Sequence, residues 1–153
     1  MEYTALYHSP VGPLILSSDG TSLTGLRPYH YGTCQDILPI FDAVRNWLDR
    51  YFAGDAPDPR ELPLALNGTP FQRRVWEALL EIPWGHTCSY GDIARRIGCP
   101  RGAQATGQAL SRNPIFIIVP CHRVLGADGS ITGYAGGLDM KRQLLAIEHI
   151  HIH

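Results

Sequence analysis

Clustered cysteine is the first thing this sequence lacks. Cys34, Cys88, Cys99 and Cys121 lie far apart, with no C-x-x-C pair among them. A zinc site needs Cys and His gathered at ligand spacing, so no metal is expected, and nothing in the chain asks for a cofactor. In a reducing compartment each cysteine is a free thiol, and Cys34, Cys88 and Cys99 are most simply packing residues. Early positive charge is also missing. No Lys or Arg precedes Arg27, which is the wrong flank for a secretory signal. The apolar run Ile115 to Val119 is far too short to span a bilayer. An intracellular protein without a membrane partner is the expectation. The sequon Asn67-Gly68-Thr69 then serves as a turn and a helix cap rather than a glycan acceptor.

What is present describes a folded protein with a core. The 153 residues are 44% hydrophobic and 18% charged, enough for one ordinary domain or two small lobes. The formal net charge is −1, but its distribution is uneven. From Met1 to Leu62 there are 8 acids against 4 bases, and from Pro63 to His153 there are 9 bases against 6 acids. Between Ile93 and Ala127 stand Arg95, Arg96, Arg101, Arg112 and Arg123 with no Asp or Glu. A single-sign stretch of this kind is either a solvated face or the footprint of an anionic partner.

Two lobes follow from the pattern along the chain. Tyr3–His8, Leu14–Ser18 and Ser22–Leu26 are β-rich and joined by turn residues, which predicts a small antiparallel meander. Ile40, Phe41, Val44, Trp47, Leu48, Tyr51 and Phe52 recur at helical spacing and stop at Gly54. Ala56-Pro57-Asp58-Pro59 is the clearest linker, which places a small α/β N-terminal domain at 1–62 and a second domain at 63–153. The second opens with a Thr69-x-x-Gln72 capping box, Pro70 at the first helical position, and an apolar stripe of Phe71, Val75, Leu79 and Ile82. Two short helices, Ser89–Ile97 and Arg101–Ser111, flank Gly98-Cys99-Pro100, which is the helix-turn-helix pattern. The second of these is nearly bare, with Ala103, Ala105, Gly107 and Ala109. Small residues suit either tight internal packing or insertion into a nucleic-acid groove. A last amphipathic helix spans roughly Asp139 to Ile150, with Glu148 close to its apolar face.

Chemistry concentrates at Pro120-Cys121-His122-Arg123, which a strand through Ile115–Ile118 is expected to deliver. A thiol is a weak nucleophile until it ionises, so it needs a base or a positive neighbour. His122 is adjacent, but neighbours on an extended segment face opposite ways, so a bridging water is the expected link. Glu148 is the best carboxylate to hold the other imidazole nitrogen. The competing reading makes Cys121 a core thiol and His122 an exposed passenger.

These motifs resemble the O6-alkylguanine-DNA alkyltransferases. The resemblance rests on "NP" (113–114), "PCHRV" (120–124) and "GYAGG" (133–137), and extends over "TPFQRRVWEALLEIPWGHTCSYGDIA" (69–94) and "LLAIEH" (144–149). It covers essentially all of the second lobe, whereas the first shows only a compatible strand-then-helix order. It implies a two-lobe α/β fold: a small antiparallel sheet plus helix, then a mostly helical, winged-helix-like lobe. The implied activity is one irreversible transfer of an alkyl group from guanine O6 in double-stranded DNA to the protein's own cysteine, by a monomer in the cytoplasm or on the nucleoid.

Residue by residue, the resemblance makes Cys121 the acceptor, His122 the water-linked base, Glu148 its orienting carboxylate and Asn113 the tie of the active-site turn. Tyr90 would donate to guanine N3. Tyr134 would line the pocket, and backbone groups at Cys121, Val124 and Ala135 would read the guanine edge. Gly102, Ala103, Gln104, Ala105, Thr106 and Ala109 would enter the minor groove, with Arg101, Arg112 and Arg123 on phosphates. Two positions depart from the family pattern. Gln104 replaces the usual arginine that fills the space of the flipped base, and Ala135 stands where many members have serine. Cys34, His8 and His30 do not reproduce the zinc ligands some members carry. Three other functions remain possible from the sequence: a sensor that binds the lesion without accepting the group, a thiol hydrolase, and a plain transcription regulator.

Overall fold

A computed structural model describes residues 2–29 and 35–151. Contacts divide the chain into two units, Met1–Leu66 with Pro114–Phe116, and Asn67–Asn113 with Ile117–His153. Cys34 and His30 lie outside the described residues.

In the first unit β1 (Tyr3–Ser9), β2 (Gly12–Ser18) and β3 (Leu23–Pro28) form an antiparallel sheet in the order β1-β2-β3. Alternation sets its inner face: Ala5, Leu14, Leu16 and Leu26 are buried. Helix α1 (Pro39–Phe52) packs on β1 and β3 and buries Phe41, Val44 and Leu48. Each fully buried leucine contributes about 1.5–3 kcal/mol, so this small layer has a core of its own. Gly54, at φ +89, ends the helix in the left-handed region, as the sequence predicts.

In the second unit α2 (Pro70–Leu79) begins with the predicted box: Thr69 Oγ1 accepts from the Gln72 amide at 3.1 Å, and Gln72 Oε1 accepts from the Thr69 amide at 3.0 Å. A short strand β4 (Cys88–Ser89) leads into α3 (Tyr90–Arg96), which Gly98 terminates, and then into α4 (Ala103–Ser111). The three helices pack together, and Trp76 Nε1 donates to the Ala109 carbonyl at 2.9 Å. Strand β5 (Val124–Leu125) pairs parallel with β4, and α5 (Leu138–Ile147) closes the unit. The last helix stops three residues before its expected end, because His149 takes φ +60. No helix among the described residues is long and apolar enough to cross a membrane.

The expected strand at Ile115–Ile118 does not form. Ile115 makes one isolated bridge to Leu26, and the residues after it turn, with Ile117 at φ +70. The run is buried all the same. Its apolar character reflects a turn packed in the core, which periodicity alone does not separate from a short strand.

Candidate active site

Cys121, His122 and Arg123 form one 3-10 turn. Side chains there advance about a third of a revolution each instead of alternating. The sequence expectation of opposed faces therefore gives way to three side chains spread around one turn. Asn113, just past the end of α4, holds the turn: its Nδ2 donates to the Val119 carbonyl at 2.9 Å and lies 3.2 Å from Cys121 Sγ. The asparagine amide thus supplies the turn with a partner that no strand provides.

Cys121 is 5% exposed, and it contributes to a cavity of about 600 Å³. Ala103, Gly107 and Leu110 of α4 form one wall, with Tyr90, Tyr134 and Ala135 also lining it. Small side chains leave this room. A Cβ built on Gly107 would stand 3.8 Å from the Tyr90 ring. Gly102 has a different reason to be glycine, since a Cβ there would lie 3.0 Å from the Cys99 carbonyl oxygen.

Burial pushes the Cys121 thiol up, against the opposing effects of Asn113, Lys141 and Tyr134. The resting group is therefore the neutral thiol, and a base is required. Burial pushes His122 below its ordinary 6.5, although its bond to Glu148 opposes this, so the imidazole is neutral at pH 7. His122 Nε2 lies 2.6 Å from Glu148 Oε2. With a carboxylate on Nε2, that nitrogen carries the proton and Nδ1 keeps its lone pair. Nδ1 is buried and has no hydrogen-bond partner among the described residues. Burial would raise Glu148, but the His122 bond and the Arg123 guanidinium outweigh it and bring it down to about 2.

Arg123 corrects the expectation of a phosphate contact. It is 6% exposed, its Nε donates to Glu148 Oε1 at 2.7 Å, and its Nη1 donates to the Ile82 carbonyl at 2.5 Å. The turn geometry carries both His122 and Arg123 inward onto the one carboxylate that ends α5. Thr106 and Ala109 also depart from their expected place in a groove. They are 0% and 3% exposed, because the helical period puts them on the face of α4 turned toward the core. Ala103, Gln104 and Ala105 are exposed, as are Arg101 and Arg112. Gln108, four residues after Gln104, shares its exposed face and went unnoticed. Of the other arginines in the acid-free stretch, Arg95 pairs with Asp92 and Arg96 with Glu81.

Val124 is fully buried in β5, and its carbonyl accepts from Lys141 Nζ at 2.7 Å. Lys141 is the chain's one lysine and is 1% exposed. It also donates to the carbonyls of Thr132 at 2.9 Å and Gly133 at 3.3 Å. Burial lowers its pKa to about 8, with the nearby Cys121 acting in the opposite sense. Both Lys141 and Thr132 escaped the sequence reading. The available signal was a charged residue three and four positions before Leu144 and Leu145, on the apolar stripe of the last helix.

Comparison with known proteins follows the same division. Residues 3–66 match a family model described as the ribonuclease-like domain of 6-O-methylguanine DNA methyltransferase, and residues 70–150 match that family's DNA binding domain. A methylated-DNA–protein-cysteine methyltransferase of Mycobacterium leprae is 50% identical over 92% of this chain and 88% of its own length. One of the same name from Haemophilus influenzae is 44% identical over 97% of this chain and 87% of its own. A crystal structure of Mycobacterium tuberculosis OGT in complex with DNA superposes with a TM-score of 0.86 at 46% identity, covering 95% of this chain and 92% of that one.

Proposed function

The chain belongs to the 6-O-methylguanine DNA methyltransferase family, and from that premise we propose that Cys121 is the residue its alkyl-transfer chemistry modifies. The protein is a methylated-DNA–protein-cysteine methyltransferase: it repairs O6-alkylguanine in double-stranded DNA by moving the alkyl group irreversibly onto its own cysteine. The observation that carries the choice of Cys121 is its sulfur, set in the cavity beside Asn113 and followed directly by an imidazole–carboxylate pair.

In the proposed sequence the damaged guanine swings out of the duplex, at a cost of a few kcal/mol, and enters the cavity. His122 Nδ1 takes the thiol proton through a water, while Glu148 stabilises the imidazolium that results. The sulfur attacks the alkyl carbon, the carbon–O6 bond breaks, and its electron pair passes to the purine. Tyr90 donates to N3 and neutralises charge there. Ala103, Gln104 and Ala105 present the groove-facing side of α4, with Arg101 and Arg112 on phosphates. Residues 63–153 would hold all of this machinery. The expected working form is a monomer in the cytoplasm or on the nucleoid.

The test is an intact mass after incubation with a duplex carrying O6-methylguanine. One methyl addition, absent in Cys121→Ser, supports the assignment. An addition that persists in Cys121→Ser overturns it, and tight binding with no gain in mass would mean a lesion sensor.

A further inference from the structure

Thr132 stands where the glycine-rich segment meets the cavity, and two of its groups are engaged. Its Oγ1 donates to the Tyr90 hydroxyl at 2.9 Å. Its carbonyl accepts from the buried Lys141 ammonium, which also holds the carbonyls of Gly133 and Val124. The backbone that carries Thr132 is therefore tied to α5 and β5, and a β-branched side chain has few χ1 settings available. Thr132 and Tyr90 both line the cavity.

A phenol has one proton to give. While Thr132 donates to the Tyr90 oxygen, that proton is directed away from Thr132. Donation in sequence polarises each bond and strengthens the last donor. An exposed threonine–tyrosine contact gains little in water, but a base seated in the cavity would exclude the solvent around it.

We propose that Thr132 is a positioning residue for alkyl transfer, which aims and strengthens the Tyr90 hydroxyl as the donor to the departing purine. This rests on the role given to Tyr90 above. Tyr90 would touch the base, and Thr132 would act only through it.

Single-turnover transfer from an O6-methylguanine duplex tests the idea in four variants: Thr132→Val, Thr132→Ser, Tyr90→Phe and the double Thr132→Val/Tyr90→Phe. Valine keeps the shape and removes the hydroxyl. It should slow transfer roughly five- to tenfold, the effect of one neutral hydrogen bond, with duplex affinity and melting temperature unchanged. Serine should restore most of the rate, and Thr132→Val should add nothing once Tyr90 is phenylalanine. A normal rate in Thr132→Val while Tyr90→Phe is slow removes Thr132 alone. Equal slowing in both backgrounds, or a serine variant as slow as valine, reduces Thr132 to a structural part and overturns the proposal. A normal rate in Tyr90→Phe overturns the role of Tyr90 itself, and the proposal with it.

Discussion

Glu148→Gln is the most informative single change, because one carboxylate neutralises one guanidinium and orients one imidazole. Glutamine keeps the volume and can still accept from His122 Nε2. It cannot balance Arg123, whose side chain is 7% exposed and whose Nε sits 2.7 Å from Glu148 Oε1. Removing one partner of a buried ion pair costs about 3–5 kcal/mol. Glu148, held down at about 2 by His122 and Arg123 together, agrees in sign with a loss of this size. For a chain of this length that corresponds to a melting temperature lower by roughly 6–20 °C. The sign with pH follows from the same shift. Folding stability from this group is present above pH 4.5 and is lost as pH falls toward 2, so the variant should show a weaker acid limb. Urea denaturation measures the loss, and Arg123→Met in the Glu148→Gln background should recover part of it by removing the stranded charge. A variant within about 1 kcal/mol of the parent, or a double variant whose cost is the plain sum of the two singles, would refute the reasoning.

Two further outcomes follow from the site. The transfer rate should fall as pH drops below 6.5, because His122 must be neutral to take the thiol proton and burial holds its pKa under that value. An acid limb centred above 6.5 in single-turnover assays would contradict this. Gln104→Arg should tighten binding to an alkylated duplex and steepen its salt dependence by about one phosphate contact, since position 104 is exposed on α4. Unchanged or weaker binding at fixed salt would count against a groove-facing position 104.

Local chemistry made much of this molecule legible. Gly54, the Thr69-x-x-Gln72 box and the strand alternation of the first unit all depend on residues close in sequence, where period and capping rules apply directly. Cys121 and His122 could be named because reactive residue types in one motif limit the choices, and Glu148 because a base needs a carboxylate and the last helix offers one beside its apolar face. What escaped is tertiary. Arg123 looked like part of a basic surface until the 3-10 turn carried it onto Glu148. Thr106 and Ala109 belonged to a helix with few large apolar residues, so hydrophobicity gave no strong phase, and only packing against α2 and α3 fixed its inner side. Ile115–Val119 has the composition of a strand but turns instead, with the Phe116 amide donating to the Leu26 carbonyl and the Val119 carbonyl accepting from Asn113. Thr132 meets Tyr90 across 42 positions, a pairing that no spacing rule anticipates.

The burial of Lys141 also gives the protein a built-in reporter. Its ammonium is the one side-chain primary amine in the chain, shut behind three main-chain oxygens. An acylating reagent therefore has a single lysine to find, and can reach it only when the segment around Thr132 and Gly133 lets go. Labelling kinetics at that one atom would time the opening of the pocket rim, with no probe introduced and no residue replaced.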